Sequence, residues 1–475
     1  MKTLRNLHIY IGLATCWFLF FICFFGTSAY FKDEINYYMQ ANLSKSIKNE
    51  SHSNLEKTLD YALKTYDNYE FIGIKTPPYY SNLYEISYYN SSSSKGERKT
   101  NIAYFDEENF AKNKTLGSKF LVGMHYKLFP SQGVLKSIFE AFISILALGM
   151  FVLVISGYFI WNKKFNYKFN SKNNFANLYN FHIVSGVFIG IFLAWLSISG
   201  IGLNYLKDIE KLFSSSKEVK VKNTPKSSEL AQYDFDIKAI LKASEDAKTR
   251  LNTNDLSIVL SKPNKSILIT KHKNDTPFYD LSTKNSNILV YSATGEINEK
   301  LSEKSSLKSM NFFGFLNELF FNTHRVHFAP FILNLMLSIC GVLACAFIYK
   351  SMLMSAAKRK ENIKLKALAY SVLSSCVNAT LVYFIVNKVL DNAEINRQMI
   401  EQNSFYVAFV FSFILAFVYA NKTKILKLIS VILFAVLLLC DAMFSNYTNV
   451  TICFNIIYLI AIFLLLRRLN ASANS

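Results

Sequence analysis

The chain has 475 residues, of which 51% are hydrophobic, 42 of them Phe, and it carries a formal net charge of +19. That length would suit two or three soluble domains, but the apolar residues are gathered into long runs, which excludes an ordinary soluble globule and points to a bilayer. Much of the positive charge lies in short loops between those runs, where membrane insertion already accounts for it, so nucleic acid is not implied as a partner.

A hydrocarbon core about 30 Å thick needs roughly 20 apolar residues in helical form. The first such run, residues 9–31, follows Lys2 and Arg5 and has His8 at its threshold. A signal peptide is the competing reading of this start, with Gly26, Thr27, Ser28 and Ala29 as the small residues. The uncharged run from Leu7 to Phe31 is longer than a signal core, and cleavage would discard His8. Residues 32–136 are soluble in character, with a helix around 54–66, strands near 70–75, 83–89 and 101–105, and a loop tip from Ser91 to Gly96. His125 lies near the end of this segment, before a second span at 137–161.

The loop 162–179 carries Lys163, Lys164, Lys168 and Lys172, and the third span, 180–205, opens on His182. Residues 206–327 form a second soluble segment. It contains an amphipathic helix from Asp236 to Leu251, strands at 256–261, 265–271 and 286–291, a turn at Thr294, Gly295 and Glu296, and His324 and His327 at its end. The fourth span, 328–349, leads to a basic loop, 350–366. Residues 367–475 form a four-helix membrane extension with spans at 367–387, 404–421, 428–444 and 450–466, no histidine, and almost no charge inside the apolar runs. The loop 391–403 carries Asp391, Glu394 and Glu401.

The basic loops put both termini and the loops after spans two and four in the cytoplasm, and both soluble segments outside. All seven cysteines lie inside apolar runs without a CxxC pair, so they read as small buried residues. The expected fold is an all-α transmembrane bundle of about eight spans with two outer α+β domains.

A repeat relates the first and third spans: His8-Ile9-Tyr10-Ile11-Gly12 matches His182-Ile183-Val184-Ser185-Gly186, and 18 residues beyond each histidine stands Gly26 or Gly200. Lys32-Asp33 and Lys207-Asp208 then mark the two exits. A histidine at a membrane span is costly enough to suggest function, whereas His52 and His272, in soluble segments, read as surface residues. By depth, His8 and His182 form an inner pair, and His125 with His324 or His327 an outer one. Facing helices that each supply one imidazole can fill both axial positions of a haem iron. Gly12, Gly186 and Gly190 would leave a strip against which a flat macrocycle could lie; the same spacing also serves helix packing. A dinuclear metal site at His324 and His327 is the weaker alternative, because only Glu318 is nearby as a further ligand. Trp17 and Trp195 read as packing or interface aromatics before they read as electron relays.

Residues Arg5-Asn6-Leu7-His8 through Gly12, Phe120 to His125 running on to Ser156-Gly157-Tyr158-Phe159-Ile160-Trp161, and His327-Phe328-Ala329 resemble the PepSY-associated transmembrane proteins over about 1–350. That family includes haem-containing reductases of ferric siderophores in bacterial inner membranes. The resemblance favours His327 over His324 and implies that residues 32–136 and 206–327 are periplasmic PepSY-like domains, the second ending at Leu289 to Glu296. It further implies two b-type haems, a cytoplasmic or quinol electron donor, and a ferric siderophore or other ferric chelate as acceptor, with no individual catalytic residue assigned. The absence of a Rossmann or flavin fingerprint is consistent with a separate reductant. Two rivals remain. An iron-chelate transporter or accessory permease would place charged groups at mid-membrane to couple ions, and the apolar runs carry none there. A membrane-anchored binding module would need neither eight spans nor the placed histidines.

Overall fold

The computed structural model describes residues 2–40, 54–77, 83–90, 101–105, 110–112, 115–128, 134–161, 174–213, 235–271, 288–304, 311–325, 331–359, 362–391, 394–445 and 448–471. His52, His272, His327 and the Ser91 to Gly96 tip lie outside them.

In chain order, α1 (Lys2–Thr27) passes through a 3-10 turn into α2 (Lys32–Tyr38), followed by α3 (Leu55–Thr65), β1 (Phe71–Lys75), β2 (Tyr84–Tyr89), β3 (Asn101–Phe105) and β4 (Phe110–Lys112). Next come α4 (Ser118–Lys127), α5 (Val134–Ile160), α6 (Asn174–Phe213), α7 (Ile237–Leu251), β5 (Leu256–Ser261), β6 (Ser266–Lys271), β7 (Leu289–Ser292), α8 (Glu299–Lys304), α9 (Phe312–Arg325) and α10 (Phe331–Lys358). The chain closes with α11 (Ile363–Val389), α12 (Arg397–Val418), α13 (Thr423–Phe444) and α14 (Asn449–Ala471). These fold into two compact units: Met1–Ser44, Lys114–Asn204 and Asn334–Ser475 form the first, Lys45–Asn113 and Tyr205–Leu333 the second.

The first unit is helical. Among the described residues eight helices are long and apolar enough to cross a membrane, at the places expected, the first running on as far as Tyr38. Inside the unit α11 is the most enclosed, and the small residues Ala367, Ala369, Ser371, Ser375 and Ala379 are buried on it, which lets neighbouring helices approach closely. Its start is capped by Asn362, whose side chain accepts from the backbone N–H groups of Lys364 and Leu365, each at 3.1 Å. Serines buried in apolar helices return their protons to the preceding turn, as Ser371 does to Ala367 O at 2.9 Å. One expectation is corrected here. Glu401 is not in an outer loop: α12 begins at Arg397, and Glu401 is fully buried on its second turn.

The second unit corrects the expectation of two separate α+β domains. Its strands make one antiparallel seven-stranded sheet in the order β4-β3-β2-β1-β5-β6-β7. Here β1 to β4 come from the first soluble segment and β5 to β7 from the second, and they join where β1 pairs with β5, with Ile72 opposite Leu260 and Ile74 opposite Ile258. Either half alone would leave that edge unpaired and its small sheet marginal, and joining satisfies both. The halves are built alike. Asn54 caps α3 by accepting from Glu56 N at 2.9 Å, and Asp236 caps α7 by accepting from Lys238 N at 3.0 Å. Leu59 and Ala62 of α3, with Ile240, Ala243 and Ala247 of α7, pack on the apolar positions of the sheet as one core. The turn after β7 requires glycine: Gly295 has φ +81°, and a Cβ there would lie 2.6 Å from Ala239 O.

Candidate functional site

His8 lies near the start of α1, and α5 packs along that helix. This brings Ser156 Oγ to 2.9 Å from His8 Nδ1. The next residue, Gly157, makes room for the ring: a Cβ on it would stand 3.4 Å from His8 Cε1. Tyr158 then ties α5 to α6, its hydroxyl donating to Val187 O at 2.5 Å. His182 on α6 repeats the arrangement with α10, its Nδ1 lying 2.7 Å from Ser351 Oγ. The imidazole also stacks on Phe347, with centroids 5.0 Å apart and planes at 15°.

The serines favour one tautomer. A hydroxyl has one proton to give. Ser351 donates its proton to Phe347 O at 2.7 Å and Ser156 to Leu153 O at 3.1 Å. With the serine protons so directed, each Oγ accepts from its histidine, an arrangement in which Nδ1 carries the proton and Nε2 keeps its lone pair. A partner on the far ring nitrogen is what fixes the tautomer and orientation of a metal-ligating histidine.

The two rings face one another, with centroids 6.2 Å apart and planes crossing at 76°. Imidazoles on opposite sides of a single metal, bonded at about 2 Å, have ring centres about 6 Å apart. Among the described residues no cluster of three or more His, Cys, Asp or Glu is arranged to hold a metal ion. His8 and His182 can therefore offer at most two imidazole nitrogens to a group held between them.

The third histidine lies at the other end of α1. His125 on α4 donates from Nδ1 to Ile22 O at 2.9 Å, which gives it the same tautomer. A Cβ on Gly26 would come within 2.7 Å of that nitrogen, so the second glycine of the repeat exists to seat this ring. Ile22 and Gly26 are 14 and 18 residues beyond His8, or roughly 21 to 27 Å along the helix. His324 stands at the end of α9 in the second unit, and His327 is outside the described residues.

The glycine strip takes its packing role in this structure. Gly12 lies opposite Leu153, Gly186 opposite the Phe347 ring at 3.5 Å, and Gly190 opposite Tyr158. Trp17 is bound locally, donating to Leu13 O at 2.6 Å. Sequence reasoning passed over Ser156 and Ser351. The only trace of the first was its place beside Gly157 and Tyr158.

Eight membrane-length helices, a soluble sheet assembled from two insertions and histidines lodged at helix ends define a multi-pass membrane protein with a duplicated amino-terminal half. The chain belongs to the family described as the PepSY-associated TM region, which matches residues 5–359. That match stops just past α10, so α11 to α14 lie beyond it. No curated protein matches the chain.

Proposed function

We propose that this protein is a di-haem electron-transfer protein of a bacterial inner membrane that passes electrons outward to reduce a periplasmic ferric siderophore or related chelate for iron acquisition. The observation that carries the reading is the His8 and His182 pair: two imidazoles 6.2 Å apart, each with Nδ1 anchored on a serine. His8 and His182 would hold one b-type haem, and His125, with His327 or His324, the other. A bound haem supplies one-electron iron chemistry. The chain's own contribution is to hold His8 and His182 through Nδ1 on Ser156 and Ser351, and to separate the two sites along α1.

Direction follows from charge. The basic loops lie at the His8 end of the bundle, so that end is cytoplasmic and takes electrons from a soluble or quinol donor. Hard oxygen chelators hold Fe(III) far more tightly than Fe(II), so reduction outside would release usable iron. The rival permease reading gains one observation, since Lys388, Arg397, Glu401 and Asp441 are buried charges in membrane-length helices. Lys388 is 3.3 Å from Asp441 and Arg397 2.9 Å from Glu401, and these pairings suit fastening better than ion exchange.

The test is stopped-flow mixing of the anaerobically reduced protein with a series of ferric chelates, following the visible spectrum. Rapid reoxidation by at least one chelate is expected. Indifference to all of them would remove the reductase assignment.

A further inference from the structure

We infer that the carboxy-terminal extension is a clamp that seats His125, gripping both the helix that carries this histidine and the helix that accepts its proton; the inference rests on reading His125 as a haem ligand. The extension holds two buried charge clusters; one ends at the start of α4 and the other on α2, the continuation of α1.

The first cluster grips the entry to α4. On α12, Arg397, Glu401 and Phe405 are buried and recur every four residues, so they share one face. Arg397 Nε donates to Glu401 Oε1 at 2.9 Å, and its terminal nitrogens donate to Leu390 O at 2.7 Å and to Asn387 O. Asn387 of α11 donates to Glu401 Oε1 at 2.8 Å and to Thr115 Oγ1 at 3.2 Å. Thr115 closes the ring by donating to Glu401 Oε2 at 2.6 Å, and its oxygen accepts from Gly117 N at 3.1 Å, immediately before α4. Tyr383 of α11 donates to Gly117 O at 3.0 Å. The backbone that launches α4 is thus held on both its N–H and C=O by a cluster rooted in the extension.

The second cluster grips the continuation of α1. Lys388 donates to Tyr38 O at 2.6 Å and to Ser445 Oγ at 2.9 Å, sits 3.3 Å from Asp441, and lies 3.7 Å above the Tyr38 ring. Tyr38 donates its hydroxyl to Asp441 Oδ2 at 2.7 Å. Between the clusters, Phe405 packs against Phe120 of α4 at 5.0 Å and Phe25 of α1 at 5.8 Å, the same two helices that meet at His125. Phe25 lies between Ile22 and Gly26 in sequence, beside the carbonyl and the clearance that seat the imidazole.

Breaking a buried pair leaves an uncompensated charge, so clusters of this kind hold one arrangement firmly. Thr115 and Glu401 are positioning residues, acting on His125 through α4.

The test uses the full-length protein in detergent with Thr115→Val, Glu401→Gln and the conservative Thr115→Ser. Amide hydrogen exchange should rise about tenfold in residues 118–127 of the first two variants while residues around His182 keep wild-type rates, and Thr115→Ser should restore protection. Unchanged exchange, or equal acceleration at both ends, would overturn the clamp. In the haem-loaded protein, Thr115→Val should shift the midpoint potential of the component that His125→Ala abolishes and leave the component abolished by His8→Ala in place; a shift of neither would also overturn it. Should the protein bind no haem, the exchange experiment still decides on the clamp, so the two readings fail separately.

Discussion

The four amino-terminal spans and the four-helix extension bury polar groups in opposite ways. In the first half His8, His182 and His125 bond through Nδ1 to neutral groups, Ser156, Ser351 and Ile22 O, and glycines at positions 157 and 26 clear space beside His8 and His125. In the extension charges are buried in opposed pairs, Lys388 with Asp441 and Arg397 with Glu401, ringed by Tyr38, Ser445, Asn387 and Thr115. The first design sets neutral partners on its imidazoles and the second locks its charges in opposed pairs. A membrane protein can therefore bury polarity in two ways, and the charge of the partners around a group separates the two.

Mutations should divide along the same line. The largest effect on folding is expected from Asp441→Asn, which leaves Lys388 buried without its counter-charge and should cost about 3 to 5 kcal/mol. Unfolding in mixed micelles would measure it, and a variant as stable as wild type would erase the contrast. Ser351→Ala should do the reverse, folding normally while weakening retention of a His182-bound cofactor about 10- to 100-fold through loss of the tautomer-fixing partner. Titration of the cofactor-depleted protein would read that loss. Gly26→Ala tests the clearance at the other end: its methyl must displace the His125 ring, with an expected cost of about 1 to 3 kcal/mol and a changed His125 environment by NMR of labelled imidazole. The smallest effect belongs to the soluble unit. Tyr291 donates to Asp246 at 2.8 Å, and burial followed by that bond raises its pKa. A raised folded pKa means this stability is present below the ordinary tyrosine value of about 10 and lost as pH rises beyond it. Tyr291→Phe should cost about 1 kcal/mol at neutral pH and flatten the alkaline decline seen by thermal denaturation.

The same contrast explains what could be read from the sequence. Spans and strands declare themselves locally, through run length and alternation, so Asp236 to Leu251 and Leu256 to Ser261 came out almost as they fold. Strand partners do not. The pairing of Ile74 with Ile258 joins two segments with two membrane-length helices between them, and nothing near either residue announces it. β4 is only three residues long and left no pattern. The histidines were legible because their type is rare in spans; Ser156 and Ser351 were not, because a serine in an apolar helix is commonplace and acquires meaning only from the ring beside it. Glu401 was misplaced for a related reason: with Arg397 and Glu394 nearby, charge density imitates a loop, and only the folded unit shows that opposite charges cancel inside a helix.

The central claim is that His8 and His182 ligate one haem, and the most direct measurement is pyridine haemochrome quantitation of the purified protein beside His8→Ala and His182→Ala. The account predicts two haems per wild-type chain and a fall to one in each variant, with the remaining absorption assigned to the His125 site. A colourless wild-type protein from haem-replete cells, or variants with undiminished haem, would contradict it.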